Sequence, residues 1–554
     1  MRALFRLIRR FSRDKKANVA IMFGIATVPL LMAVGAGIDY SLAARMKAKL
    51  QSAADAAAVA SISKNSPGYI QAAAMTSDGN VSNGVTDADN IFKGVVNNLR
   101  GSILGGLGGL TESSTVTKTG PMLASRVTFS APIPTTFMTA FGFPTMTVSG
   151  TSSATGSLPP YFDFYLMLDV SGSMGLPSTD AEQTRLSSVN PDDFSVYPNG
   201  CTFACHFQSS GSCSNPSVGQ KTNANGSVNS AYPTNGYCMG YLISRVGPTA
   251  WNSLLVTNTN YPMMNKSLSS TVSANANSNV TPGAPNSLLT GNTNSTAMSL
   301  TAVTSCPTAG ATNCIQLRAD AVGMALNATQ AVEGVDGLFA TANKRQLVTN
   351  QYRIGLYPFI RYLWTYFPLT NAINGDKTNS STINYAAANL ASLLDTGSGA
   401  NLTNLGSGGT HFENAFSSMN NLIKTVGSGS STADTKPFVF LVTDGAQNFQ
   451  TCCGFSGSNS ATVIPSGASS YCKPLKDRGI IVSVLYIPYA KIQNATTIFN
   501  NEDGVANNNI QYIEPSLQDC ASPNFYFKAS TPADITTALT AMFNQALVTA
   551  HITN

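Results

Sequence analysis

Charged side chains are scarce in this chain of 554 residues. Asp, Glu, Lys and Arg make up only 11% of it, against about 25% in an average soluble domain. Ser, Thr, Asn and Gly supply most of the polar groups instead. This composition argues against a cytosolic enzyme and for an exported surface.

The few charges are unevenly placed. Residues 1–16 sum to +6 while the whole chain sums to +5, so the remaining 538 residues sum to −1. Because no strong basic bias exists beyond residue 16, the sequence does not indicate binding to nucleic acid. The basic cluster at the N-terminus needs another explanation.

Catalytic motifs are also absent from the sequence. It has no Gly-x-Ser-x-Gly elbow, no Gly-Lys-Ser/Thr phosphate loop and no His-Glu-x-x-His zinc motif. The sequence therefore predicts a protein that is not an enzyme.

A long apolar run follows the basic residues. Ala17–Ile38 holds 22 residues without a charge, and as a helix it spans about 33 Å, enough for a hydrocarbon core of ~30 Å. Positive charge ahead of the run predicts a cytoplasmic N-terminus (residues 1–16) and an exported remainder. We therefore predict a transmembrane helix over residues 17–38. The alternative is a signal peptide cleaved near Gly35 or Gly37.

The helical pattern does not stop at the membrane. Small and apolar residues recur at three- and four-residue spacing through residues 39–63, which predicts a near-continuous helix from about Val19 to Ile62. Its outer half is either a stalk or a helix packed on the following domain, and Pro29 is expected to kink its inner half. The recurring residues are Leu42, Met46, Leu50, Ala53 and Ala57.

Residues 17–63 resemble the N-terminal region of the Tad (Flp) pilus-assembly TadE/TadG-like family. The matching text is ANVAIMFGIATVPLLMAVGAGIDY followed by KLQSAADAAAVA. The resemblance implies an inner-membrane protein of a bacterial Tad/Flp pilus system. Pilin-like members carry Gly then Glu early in the apolar run, where this chain has Ala17 and Met22, and this difference argues against processing and polymerisation like a major pilin. The residues that carry the resemblance are Pro29, Gly37, Asp39, Gln51, Ala53, Ala54, Asp55, Ala56 and Ala57.

Residues 64–158 predict a small β-rich domain. They are rich in Gly, Ser and Thr, and they alternate in the manner of strands at Ser125–Ser130 and Thr145–Ser149. A helix is expected around Asp89–Arg100. By analogy with pilins, this α+β region is expected to pack on the long helix.

From Tyr161 onward the pattern changes to strands alternating with helices. Such alternation predicts an α/β domain over residues 161–554 with a doubly wound, Rossmann-like sheet. About 140 Asn-, Ser- and Thr-rich residues (175–314) interrupt it after the first strand, as a candidate lid or recognition surface. The predicted strands are Phe164–Leu168, Tyr352–Phe359, Phe438–Thr443 and Ile480–Ile487, and the predicted helices are Ile315–Val332, Phe412–Val426 and Ala533–Leu547.

Three polar segments are expected to meet at one edge of this sheet. The first is the run Asp169-Val170-Ser171-Gly172-Ser173, directly after a strand; the second is Gly408-Gly409-Thr410, before a helix; the third is Thr443-Asp444-Gly445, at the end of another strand. The carboxyl ends of parallel strands share one edge. Two carboxylates and three hydroxyls there are hard oxygen ligands that suit Mg²⁺.

This constellation resembles the metal-ion-dependent adhesion site of von Willebrand factor A (VWA) domains. The resemblance implies one Mg²⁺ ion, replaceable by Mn²⁺ or Ca²⁺, bound directly by the hydroxyls and directly or through water by the aspartates. A partner's carboxylate would complete the coordination, so the domain would bind and not catalyse. Two carboxylates against one divalent cation would leave the site near neutral. The implied ligands are Asp169, Ser171, Ser173, Thr410 and Asp444.

All ten cysteines lie beyond residue 200, which fits an oxidising compartment. The even count does not determine the pairing. A bridge between Cys472 and Cys520 is favoured, and a bridge between Cys306 and Cys314 would close a short loop ahead of the first helix. One of the adjacent pair Cys452-Cys453 is a candidate to link the insertion to the site.

Two of the three histidines invite a metal hypothesis. His206 follows Cys201 and Cys205, and we favour disulfide use of those cysteines over zinc. His411 follows Thr410. We predict an exposed residue in the first helical turn there, and lining of the metal crevice is the alternative.

These observations converge on an exported VWA-domain protein of Tad/Flp pilus assembly. It is expected to cross the bacterial inner membrane once, with its N-terminus cytoplasmic and its bulk periplasmic or surface-exposed. Its expected partners are minor pilins, other Tad/Flp assembly proteins or an extracellular ligand with a carboxylate. The alternative is a structural minor pilin-like subunit or pilus-tip adhesin, in which the metal site is secondary.

Overall fold

A computed structural model describes most of the chain outside the long insertion. The described residues are 15–100, 109–188, 244–245, 247–249, 255–258, 261–264, 303, 305–327, 335–348, 350–373, 376–395, 404–406, 408–450, 462–489, 491–492 and 502–552. His206 and the cysteines at 201, 205, 213, 238, 452 and 453 lie outside them.

The secondary structure mixes helices and strands. The helices are α1 (Lys15–Ala60), α2 (Pro67–Ala74), α3 (Ser82–Arg100), α4 (Asp180–Ser187), α5 (Arg318–Asn327), α6 (Leu338–Arg345), α7 (Ile383–Ala388), α8 (Phe412–Leu422), α9 (Lys473–Asp477), α10 (Glu502–Cys520) and α11 (Pro532–Ile552). The strands are β1 (Gly79–Asn80), β2 (Thr111–Thr119), β3 (Met122–Pro134), β4 (Thr145–Ser157), β5 (Phe162–Asp169), β6 (Leu255–Asn258), β7 (Tyr261–Met264), β8 (Tyr352–Phe359), β9 (Phe367–Thr370), β10 (Lys436–Thr443), β11 (Ile481–Tyr486) and β12 (Tyr526–Lys528). They form two compact units, Met1–Pro159 and Pro160–Thr553.

Helix α1 is a single helix of 46 residues, as the sequence predicts. It is long and apolar enough to be a membrane anchor or a signal sequence. Its inner part is exposed along its length, with Val19 at 68% and Phe23 at 72%. From Gly35 onward one face is buried, so the outer half is a packing helix and not a bare stalk. That face runs through Ala43, whereas Leu42 is exposed.

The outer half of α1 packs on an antiparallel sheet of order β1-β2-β3-β4 and on α3. Alternate residues of β3 are buried, because one face of this sheet covers the helix and the other does not. The predicted β-rich region is therefore confirmed in its secondary structure. Its core consists of Ala43, Met46, Leu50, Ala53, Ala54, Ala57, Ala58, Ala88, Phe92, Val96, Val127, Phe129, Ala131, Ile133 and Val148.

The second unit is built on a six-stranded sheet of order β12-β11-β10-β5-β8-β9. Five strands are parallel, and the edge strand β9 is antiparallel to β8. Every residue of β5 is buried, because helices cover both faces of the sheet. Helices α5, α6, α7 and α11 pack on one face, and α8, α9 and α10 pack on the other.

The Cys472–Cys520 and Cys306–Cys314 bridges are both present. Cys472, which precedes α9, is bonded to Cys520 at the end of α10. Cys306 and Cys314, eight positions apart, close a short loop at the end of the insertion. These bonds agree with an oxidising compartment.

The end of the insertion is held by a buried ion pair. Arg245 donates to both carboxylate oxygens of Asp320, at 3.1 and 2.8 Å, and neither side chain is exposed. Asp320 also accepts from the backbone N–H of Cys306 and of Leu317. Four hydrogen bonds thus satisfy one buried carboxylate at the start of α5, directly beside the sheet edge.

Candidate metal-binding site

The two predicted aspartates lie on neighbouring strands. Asp169 is the last residue of β5, and Asp444 directly follows β10. The strands are parallel, with Leu168 paired to Val442, so both aspartates lie at the carboxyl edge of the sheet. Their exposed fractions are 1% and 0%.

The two predicted serines lie in the turn that follows β5. Ser171 donates its backbone N–H to Asp169 Oδ1 at 3.0 Å, which folds the turn back over the strand end. The Oγ atoms of Ser171 and Ser173 are 3.2 Å apart, and Ser173 hydrogen-bonds to Asp444. Four of the five predicted side chains therefore form one connected group.

Thr410, the fifth residue, reaches the same edge through its backbone. It is 4% exposed, and it exchanges two backbone hydrogen bonds with Asn448, at 2.8 and 3.2 Å. Asp395 links this loop to the first one, because its N–H donates to Val170 and its carboxylate accepts from Gly408. Among the described residues, Thr410 Oγ1 makes no hydrogen bond to the other four side chains.

Arg318 at the start of α5 is a cation in the site that the sequence reasoning missed. Its Nη1 lies 3.2 Å from Asp444 Oδ2, and its Nη2 donates to the carbonyl of Pro488 at 2.9 Å. The side chain is almost fully buried. The sequence offers no signal for this residue beyond the scarcity of charge in the chain, which indicates neither its burial nor its partner.

Thr443 is a second residue that sequence reasoning missed as a site residue. Its hydroxyl donates to Asp169 Oδ2 at 2.6 Å and accepts from the N–H of Gly445 at 2.8 Å. It fixes the orientation of the Asp169 carboxylate from the neighbouring strand.

Burial weakens both acids, and repulsion by Asp444 adds to the effect at Asp169. Burial, followed by the negative charge of Asp444, raises the pKa of Asp169 well above its usual range, although hydrogen bonds from Ser171 and Thr443 oppose the shift. Burial also raises the pKa of Asp444 against the opposing effect of Arg318 and Ser173. Two ionised carboxylates and one guanidinium would leave the site at −1.

These donors fit a divalent cation. Two buried carboxylates that repel each other, beside two hydroxyls within hydrogen-bond distance, are hard oxygen ligands around an excess negative charge. Within the described part of the chain, no group of three or more His, Cys, Asp and Glu side chains could hold a metal. A cation here would therefore depend on hydroxyl ligands.

His411 corrects one of the sequence expectations. It is 5% exposed and not a solvent-facing first-turn residue. Its ring nitrogens lie 2.7 Å from Glu413 Oε1 and 2.8 Å from the carbonyl of Gln450. These partners compensate for its burial, and they direct both ring nitrogens away from a metal-ligand role.

The family comparison confirms the resemblance at the N-terminus. Residues 17–64 match the family model described as "Putative Flp pilus-assembly TadE/G-like". A comparison with curated protein sequences finds no significant match.

Several solved structures are distantly similar. The vWF domain of the type V pili tip protein Mfa5 from Porphyromonas gingivalis is 10% identical, covering 42% of this chain and 89% of that chain (TM-score 0.23). The PilB minor pilin from Streptococcus sanguinis is 8% identical, covering 79% and 78% (TM-score 0.26). Proximal thread matrix protein 1 from the mussel byssus is 15% identical, covering 38% and 41% (TM-score 0.23).

TM-scores this low carry no argument, so the description of the second unit rests on its own strand order and helices. Residues 17–64 are thus similar to the TadE/G-like Flp pilus-assembly family, whose model they match.

Proposed function

We propose that this protein is an exported, membrane-anchored component of Tad/Flp pilus assembly that binds a protein ligand through a divalent cation. The second unit would be a VWA domain, and Asp169, Ser171, Ser173, Thr410 and Asp444 would hold one Mg²⁺ ion. The role is binding and not catalysis.

One observation carries this proposal. Asp169, Ser171, Ser173 and Asp444 come from two separate strands and form one connected polar group at the carboxyl edge of the sheet. That edge is where open α/β sheets bind ligands. A bound divalent cation would supply a Lewis-acidic position for a ligand oxygen.

The charge of the site favours an acidic ligand. With both aspartates ionised, Arg318 makes the site −1, so a divalent cation brings it to +1 rather than near zero. A net positive, partly buried site attracts a carboxylate more strongly than a neutral one. We infer that the partner contributes an Asp or Glu side chain, as a minor pilin or other pilus protein could.

The N-terminal segment supports the pilus context. Residues 17–64 match the Flp pilus-assembly family, and the +6 leader ahead of the apolar run favours a cytoplasmic N-terminus. The unit that follows, and the ligand site, would then lie in the periplasm or at the cell surface.

A structural role is the second candidate. The outer half of α1 packs on an antiparallel sheet while its inner part is exposed and apolar, an arrangement that would also let α1 pack among neighbouring subunits in a filament. Recovery of the protein from sheared, purified pili would favour this role. Its presence only in inner-membrane fractions would favour the assembly role.

Metal binding is the direct test of the proposed function. Calorimetric titration of the purified full chain with Mg²⁺ or Mn²⁺ should show one binding event, and binding should stabilise the fold by ~2.7 kcal/mol at a hundredfold excess over Kd. Asp169→Ala should abolish the binding heat. The matched control is Ser187→Ala in α4, whose exposed hydroxyl donates only to Thr184. Absence of binding by the wild-type chain would rule out the adhesion site.

A further inference from the structure

The loop between β3 and β4, residues 135–144, presents three phenylalanines to solvent. We call it the aromatic loop. Phe137, Phe141 and Phe143 are 45%, 38% and 60% exposed. No Asp, Glu, Lys or Arg occurs from residue 127 to residue 162. Large apolar side chains that stay exposed together on one uncharged loop are typical of a protein- or membrane-interaction site.

The aromatic loop is fixed to α1 by one carboxylate. Asp39 accepts hydrogen bonds from the backbone N–H groups of Thr136, Phe137 and Met138, at 2.8, 2.9 and 2.8 Å. Asp39 is 3% exposed. Three hydrogen bonds to one buried carboxylate hold the loop at a defined position along the axis of α1.

A second contact, between Gly35 and Phe137, fixes the same position along the helix axis. A Cβ atom added to Gly35 would lie 2.5 Å from Phe137 Cβ, so the loop approaches the helix at a position where only glycine fits. The aromatic loop therefore lies beside Gly35–Asp39 and not farther out along α1.

That position coincides with the expected outer surface of the bilayer. The 20 residues from Val19 to Ile38 span about 30 Å, the thickness of a hydrocarbon core. Gly35 lies about 5 Å inside the outer end of this span. The neighbouring helix residues Met32, Val34 and Ile38 are themselves exposed and apolar.

We propose that the aromatic loop inserts its phenylalanines into the outer headgroup–acyl boundary of the membrane, as a second point of contact beside α1. Phe, like Trp and Leu, is among the side chains that interfacial segments bury at this boundary, and the loop carries no charge that would have to be desolvated there. The inference rests on α1 being a retained membrane anchor, and the test separates the two claims.

Tryptophan substitution in the full chain tests the insertion. Phe141→Trp and Phe143→Trp are each reconstituted in phosphatidylcholine vesicles with brominated acyl chains, which quench tryptophan on contact. The quenching of the wild-type protein, with its two native tryptophans, is subtracted. Leu31→Trp, on the exposed part of α1, reports whether the helix is in the bilayer.

Met122→Trp is the matched control. Met122 lies at the opposite end of β3 from the aromatic loop and is 39% exposed, nearly the same as Phe141. A strand of 13 residues puts it about 40 Å away along the sheet. The proposal expects blue-shifted emission and quenching of both loop variants and of Leu31→Trp, with Met122→Trp unquenched.

The remaining outcomes overturn one claim or both. Quenching of Leu31→Trp without quenching of either loop variant would leave the anchor and eliminate the inserted loop. A blue shift without quenching would show the loop buried against a second copy of the chain instead. No quenching at Leu31 would remove the anchor and, with it, the inference.

Discussion

Arg318 sets the net charge of the candidate site. A guanidinium 3.2 Å from Asp444 keeps one buried carboxylate compensated when no cation is bound. It also adds a positive charge that would repel an incoming metal cation. At the proposed metal site, the same residue would thus stabilise the metal-free state, oppose the entry of a cation and favour an acidic ligand once a cation is bound.

Replacement of Arg318 should separate these effects. Arg318→Met should destabilise the metal-free protein by about 3–5 kcal/mol, because Asp444 loses its partner in a buried position. It should also tighten Mg²⁺ binding by about tenfold or more, because a repulsive charge is removed. Chemical denaturation and calorimetry measure the two quantities.

The control for this variant is Arg353→Met. Arg353 pairs with Asp163 at the other end of β5, and it is partly exposed. Its loss should cost less stability than the loss of Arg318 and leave the Mg²⁺ affinity unchanged. Equal Mg²⁺ affinity in Arg318→Met and wild type would show that the guanidinium does not face the cation.

The raised pKa of Asp169 predicts an inverse pH dependence. The pKa is about 7 in the folded chain against an ordinary value of 3.8, chiefly through burial and then through Asp444. The folded protein therefore keeps a proton that the unfolded chain loses, and stability falls as pH rises from about 4 to about 7. Thermal denaturation without metal should show this fall, and added Mg²⁺ should reduce it.

Asp169→Asn provides the reference for this measurement. Burial, followed by its hydrogen bond to Asp89, raises the pKa of Glu112 to about 7 as well, and burial raises the pKa of Asp444, so the wild-type curve contains contributions from other acids besides Asp169. The difference between wild type and Asp169→Asn isolates the contribution of Asp169. Parallel curves for the two proteins would contradict the prediction.

At the scale of elements, the loop before α8 is the part of the site held most tightly by backbone geometry. Gly409 has φ +73°, and a Cβ added there would lie 2.1 Å from the carbonyl oxygen of Asn448. That oxygen accepts the hydrogen bond from Thr410 N. A side chain at residue 409 must therefore break the pairing that positions Thr410.

Gly409→Ala should weaken Mg²⁺ binding as well as the fold. The left-handed backbone costs about 1–2 kcal/mol for any other residue, and the steric overlap adds roughly 1–3 kcal/mol. Gly467→Ala is the matched control, because Gly467 has φ +67° and open space around its Cβ position. Gly467→Ala should lose stability only through the cost of the left-handed backbone conformation, and it should bind Mg²⁺ as the wild type does. Calorimetry and thermal denaturation of both variants decide the point.

Strands that are continuous apolar runs could be predicted from the sequence. The strand over Tyr352–Phe359 has the predicted bounds, and β5, β10 and β11 differ from prediction by no more than two residues at either end. Continuous apolar runs and turn residues are local signals, and they also located Asp169 and Asp444. The edge strand β9 gave no such signal, since it is short and only partly buried.

Contacts distant in sequence could not be predicted. Arg318 and Asp444 are 126 residues apart, and Asp39 and Phe137 are 98 apart. Neither pairing produces a periodic pattern in the sequence. His411 was expected to be exposed because the partners that let it be buried, Glu413 and a carbonyl of Gln450, emerge only after folding.

At the scale of the whole molecule, topology is the first property to establish. The +6 leader and the uncharged run predict a single retained span with everything after it outside the cytoplasm. A reporter that is active only in the periplasm should function when fused after Asn554 and fail when fused after Lys16. An intact mass beginning near Gly37 or Ile38 would instead demonstrate a cleaved signal peptide.

If α1 is the proposed membrane anchor, its proline would place a bending point inside the bilayer, and the helix would continue without a break well beyond it. Pro29, the proline within the helix, lies 31 residues before Ala60, or about 46 Å at 1.5 Å per residue. Prolines are the usual points at which helices bend, and a change of about 20° there would sweep the far end by about 16 Å. A small change of the bend, caused for example by a change in bilayer thickness, would therefore move the four-stranded sheet that packs on the outer half of α1 by a large distance.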